Sequence, residues 1–233
     1  MLQQLRNDLQ KLANPQKAKI LQRFFKTGEG EYGFGDVFLG ITVPQSRLIV
    51  QKYADLSDKE VIKLLQSKIH EERLIALLFL VHNFQKGDKQ KKKEIYDFYL
   101  KHARLVNNWD LVDLSADKIV GVFLLDKPKD LLVKLARSEN LWERRIAIIA
   151  TFAFIKLEKE HEWTFKIAKI LLKDKHDLIQ KAVGWMLREV GKACSQKVEE
   201  EFLQKHSKEM ARTTLRYAIE RFPEDRRKAY LRG

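Results

Sequence analysis

One cysteine, four prolines and ten glycines are spread over 233 residues, and each scarcity removes options. With Cys194 alone no intrachain disulfide can form, so a reducing compartment, the cytoplasm, is the natural home. Cys194 also lacks a base nearby in sequence and reads as a structural thiol rather than a nucleophile. The apolar runs, such as IAIIATFAFI at 146–155, are too short to span a bilayer, so no membrane partner is expected. The opening MLQQLRNDLQ reads as an amphipathic helix rather than a signal peptide. The six histidines are scattered, none in an H-E-x-x-H spacing, so no metal is expected.

Glycine gathers in one place, GEGEYGFG at 28–35, where Gly28, Gly30 and Gly33 spell G-x-G-x-x-G. A dinucleotide fingerprint needs a strand before it and a helix after it. Here the preceding ILQRFFK reads as helix, Glu29 and Glu31 would repel a phosphate, and no G-K-[ST] follows. The segment is expected to end one helix and aim the chain at the next.

Positive charge, by contrast, is abundant. Lys and Arg number 45 against 32 acids, for a net charge of +13, which favours a polyanionic partner such as nucleic acid. Apolar residues at 45% and charged residues at 33% describe a chain that folds, as one large domain or one array spanning 1–233.

Helical periodicity runs from end to end while alternating, strand-like runs are almost absent, so the class is all-α. Expected boundaries are Asn14-Pro15, Val43-Pro44, the capping box Ser57-Asp58-Lys59-Glu60, Gly87 and Phe222-Pro223. Three segments resemble one another: EERLIALLFL, WERRIAIIAT and IQKAVGWMLR. Each sets a basic residue three before a small one: Arg73 and Ala76, Arg144 and Ala147, Lys181 and Gly184. The small residues are 71 and 37 positions apart, which leaves room for a copy near 112. Spacing of this order is that of HEAT or armadillo solenoids, with a helical bundle as the alternative.

The missing copy falls in NNWDLVDLSADKI, 107–119. Trp109 and Asp113, four apart, share a helix face. Val112, Ala116, Ile119, Val120 and Phe123 form that helix's apolar stripe, which leaves Asp113 and Asp117 off the core and Trp109 at its border. Trp185 repeats the pattern, flanked by Lys181 and Arg188. For any one tryptophan read alone, a place in the core is the default reading. An acid beside an aromatic on the inner face of a basic array can stabilise a developing positive charge. Arg144, Arg145, Lys181 and Arg188 are candidates for tracking a phosphate backbone, and the run KQKKK at 89–93 reads as a solvated helix start.

Four pieces carry a family resemblance: LQRFFKTGEGEYGFGDVFLGITVP (21–44), NNWDLVDLSADKIVG (107–121), SENLWERRIAI (138–148) and LIQKAVGWMLREVGK (178–192). The chain resembles the AlkD-type DNA alkylation repair proteins, DNA glycosylases of HEAT-like repeats. The resemblance implies a right-handed superhelical α-solenoid, expected to act as a monomer, that cradles double-stranded DNA containing alkylated bases. The implied reaction is excision of positively charged purines alkylated at N3 or N7, without a deep base-flipping pocket and without a cofactor. Asp113 matches the catalytic aspartate, and Trp109 and Trp185 match two tryptophans that pack on the damaged nucleotide. Arg145 matches a phosphate-contacting arginine, with Lys181, Arg188 and Arg47 as helpers. Phe24 stands where a relative's tyrosine approaches DNA, and Asn108 where relatives can carry a further tryptophan. A non-catalytic HEAT-repeat DNA-binding or scaffolding protein is the alternative.

Overall fold

Prolines and polar caps start helices where the sequence places them. Asn14 accepts from the Lys17 amide ahead of Pro15, and reciprocal capping boxes join Thr42 to Gln45 and Ser57 to Glu60. The computed structural model describes residues 1–53 and 55–232. Among these the regular elements are helical, apart from one isolated β-bridge between Val37 and Ile69. The chain groups into two compact units, 1–115 and 116 onward.

The first unit holds α1 (Leu2–Leu12), α2 (Pro15–Phe24), α3 (Val43–Lys52), α4 (Asp58–Leu65), α5 (His70–Lys86), α6 (Lys89–Lys101) and α7 (Trp109–Asp113). Its centre is α5, buried on nearly every side and packed by α3, α4, α6 and α7. Such a helix shows little apolar periodicity because it has no solvent face. Leu5 and Leu9 bury α1, and Arg6 reaches Glu72 of α5 at 2.8 Å.

The second unit holds α8 (Asp130–Ala136), α9 (Leu141–Ala150), α10 (Phe152–Glu158), α11 (Glu162–Leu171), α12 (Asp177–Ala193), α13 (Gln196–His206), α14 (Arg212–Ala218) and α15 (Glu224–Arg232). Here α12 is central, packing on α9, α11, α13 and α14. At Gly184 a Cβ would lie 2.4 Å from the Thr214 carbonyl oxygen, so glycine there permits the close approach of α12 and α14.

The internal repeat has a physical counterpart at the starts of α5, α9 and α12. Ser67, Ser138 and Asp174 each cap, through the side chain, the amide two residues on. Their own carbonyls accept from Arg73, Arg144 and Gln180, six residues on. The turns recur at steps of 71 and 36 residues. The third copy therefore aligns on Gln180 rather than on Lys181, one position from the sequence alignment.

The 107–123 segment departs from the single helix expected. After α7 the chain turns, and Asp117–Gly121 winds as a π-helix. A π turn places its bonds at i+5, so the faces rotate relative to an α-helix. Val112, Ala116, Ile119 and Val120 are buried as expected, but Asp117 is buried too, not off the core. Its carboxylate is paired with Lys118 at 3.0 Å.

Candidate active site

Five residues make α7, with Trp109 in its first turn and Asp113 at its end. Both side chains line a cavity of about 480 Å³ within the first unit. Its walls are mostly rings and hydrocarbon, from Phe24, Phe25, Phe38, Leu21 and Ile41, while Asp110 and Asp113 bring carboxylates to it. Asp113 is half-buried.

The aromatic wall is a stack. Phe25 lies parallel to Trp109, centroids 5.2 Å apart, and parallel to Phe38 at 5.0 Å. Phe24 meets Trp109 edge-on at 6.0 Å and leaves 61% of its surface exposed, the most open ring of the group. Offset and edge-on contacts of this kind add to the burial of the rings.

The glycine-rich segment between α2 and α3 builds this wall rather than a nucleotide site. A Cβ at Gly33 would meet the Phe25 carbonyl at 2.5 Å. Gly40, at φ +82, lies where a Cβ would be 2.2 Å from the Asn14 carbonyl. The amides of Leu39, Gly40 and Ile41 all donate to the buried Glu71 carboxylate, which anchors the loop to α5.

Beneath the stack lies a buried ionic network. Asp36 Oδ2 accepts from Arg73 at 2.6 Å, from His70 Nδ1 at 3.2 Å and from Asn108 Nδ2 at 3.2 Å. The other ring nitrogen of His70 meets Asp110 Oδ2 at 2.8 Å. Burial works against the charge on Asp36, but His70, Arg73 and Asn108 hold its carboxyl below the usual carboxylate range. Asn108 is fully buried and caps α7, so its place in the fold is internal.

Trp185, Lys181 and Arg188 share a face of α12 in the second unit. Trp185 packs on Phe152 at 5.6 Å and donates its indole N–H to Glu189 at 3.2 Å. Lys181 pairs with Asp177 at 2.8 Å, and Arg188 pairs with Glu189 and Glu220. Arg145 is 5% exposed and donates to the Leu178 carbonyl at 2.5 Å, tying α9 to the start of α12. Arg144 is engaged by Asp174 at 2.6 Å. Arg47 is exposed on α3. Burial raises the Cys194 thiol above its ordinary value, which suits a structural role.

Sequence reading missed Phe25, Phe38, His70, Asp36 and Asp110. Only Asp110, next to Trp109, had a local signal, since an acid in a first helical turn reads as a dipole partner.

A model of the DNA alkylation repair enzyme family matches residues 5–222. The chain belongs to that family. A solved structure titled a predicted DNA alkylation repair enzyme from Enterococcus faecalis has the same fold, with a TM-score of 0.71 at 18% identity. The likeness covers 91% of this chain and 97% of that one. No curated protein matches the DNA alkylation repair chain. No helix among its described residues is long and apolar enough to cross a membrane.

Proposed function

We propose that this member of the family is a DNA glycosylase that hydrolyses the N-glycosidic bond of purines alkylated at N3 or N7 in duplex DNA. The observation that carries the reading is the pairing of Asp113 with Trp109 on one short helix at an aromatic cavity.

Such a base is already cationic and needs no general acid to leave. The electron pair of the C1′–N bond returns to the purine and neutralises it, while the sugar becomes oxocarbenium-like. The Asp113 carboxylate opposes that charge and orients a water, whose oxygen adds to C1′ and whose proton passes to the carboxylate or to solvent. The products are the free base and an abasic site. The face of Trp109 adds cation–π stabilisation at the sugar.

The cavity beside Asp113 offers stacking surface more than edge-on hydrogen bonding, which favours reading the lesion by charge and shape. Lys181, Arg188 and Arg47 would hold phosphates, with Phe24 against the duplex. Arg145, mostly buried, would present only an edge to phosphate.

The test is release of 7-methylguanine and 3-methyladenine from methylated duplex DNA by wild type and Asp113→Asn. Release by wild type, lost by at least about 100-fold in the variant with binding kept, is the expected result. Equal release by both would remove Asp113 from the chemistry. No release by either, with duplex binding retained, would make the protein a non-catalytic DNA-binding module.

A further inference from the structure

His70 opens α5 with both ring nitrogens against carboxylate oxygens, Asp36 on one side and Asp110 on the other. A carboxylate accepts hydrogen bonds, and a neutral imidazole has only one N–H to donate. Only the imidazolium donates to both carboxylates. The ring is 2% exposed, stacked on Phe38 at 4.5 Å and tilted against Phe25 at 5.0 Å. Phe25 in turn stacks on Trp109, and Asp110 sits in the same helical turn as Trp109, three residues before Asp113.

We propose that His70 is a positioning residue: as a doubly bonded imidazolium it ties the first turn of α7 to the Asp36 loop and sets the orientation of Trp109 and Asp113. The proposal rests on the glycosylase reading for its effect on rate, but its structural content does not.

The charged groups facing the ring are Asp36 from the loop, Asp110 from α7 and Arg73 from its own helix. Glu71 and Glu72, its neighbours on α5, are turned to the 39–41 amides and to Arg6. Burial and Arg73 disfavour the charged ring, while Asp110 and Asp36 outweigh them and raise its pKa above the ordinary histidine value. The ring therefore keeps its second proton to higher pH than a free histidine, and the loss of that proton as pH rises removes one of the two hydrogen bonds.

Two measurements on the full chain decide this. In single-turnover excision, His70→Gln and Asp110→Asn should each slow release about 10- to 100-fold while leaving duplex affinity unchanged, because misorientation acts on the chemical step. The double variant should be no slower than the worse single, and the alkaline fall of the wild-type rate should move to lower pH in Asp110→Asn. His70→Gln at wild-type rate across pH 6 to 9 would overturn the proposal.

Nitrogen-15 NMR of the imidazole ring, read with the Trp109 indole resonance, gives an answer without catalysis. Both ring nitrogens protonated at pH 7.5, with the indole resonance moving in the same titration, supports the positioning role. A neutral ring, or an indole that ignores the titration, overturns it. Should wild type release no alkylated base, the glycosylase reading falls and the NMR result alone decides the role of His70.

Discussion

Glu199 on α13 is a buried acid, and its replacement by glutamine should stabilise the protein in a pH-dependent way. The side chain is 2% exposed, and its Oε1 has no hydrogen-bond partner. Burial, reinforced by Glu200 and Glu189 and only partly offset by Arg188, raises its pKa from 4.5 to about 8. The folded state thus holds a proton that the unfolded chain gives up near pH 4.5. Between those values unfolding releases the proton, so stability falls as pH rises, by up to about 1.4 kcal/mol per pH unit. Across the whole window the loss is about 5 kcal/mol, complete once pH passes the folded-state value. Glu199→Gln keeps the shape without the titration. It should match wild type near pH 4.5 and exceed it by about 3 to 5 kcal/mol at pH 8.5. In a chain of this size that is a rise in Tm of about 6–20 °C. Urea unfolding at pH 5, 6.5 and 8.5 measures the difference, and the variant-minus-wild-type comparison cancels the other carboxylates. A difference that stays flat with pH would refute the assignment of a protonated Glu199.

Three further outcomes follow from packing and charge. Gly40→Ala combines a positive φ with a Cβ 2.2 Å from the Asn14 carbonyl, and should cost about 2–4 kcal/mol in thermal or urea unfolding. Arg73→Met leaves the Asp36 carboxylate buried without its guanidinium, and should cost about 3–5 kcal/mol by the same measurement. Lys181→Ala with Arg188→Ala should reduce the slope of log affinity for duplex DNA against log salt by about two; an unchanged slope would remove α12 from the phosphate contact.

The central repeat was visible in sequence because it is local. A residue that caps the amide two on and accepts, through its carbonyl, from the residue six on repeats with its helix, as at Ser67, Ser138 and Asp174. Sequence similarity alone set the third copy one position late, since Lys181 resembles arginine while Gln180 makes the bond. The Asp117 error has a related origin: a period of 3.6 was extended through a segment that winds as a π-helix.

By itself the sequence determined the helical class, the capped boundaries and the pairing of Trp109 with Asp113, because these depend on residues within about one or two turns of each other. Only the tertiary structure decided what supports that pair. Asp36, His70 and Asp110 are separated by 34 and 40 positions and meet because the Val37–Ile69 bridge brings the loop to the start of α5. No periodicity reports such a meeting. A buried charge is stable only where partners from distant segments converge on it, and that convergence exists only in the folded chain.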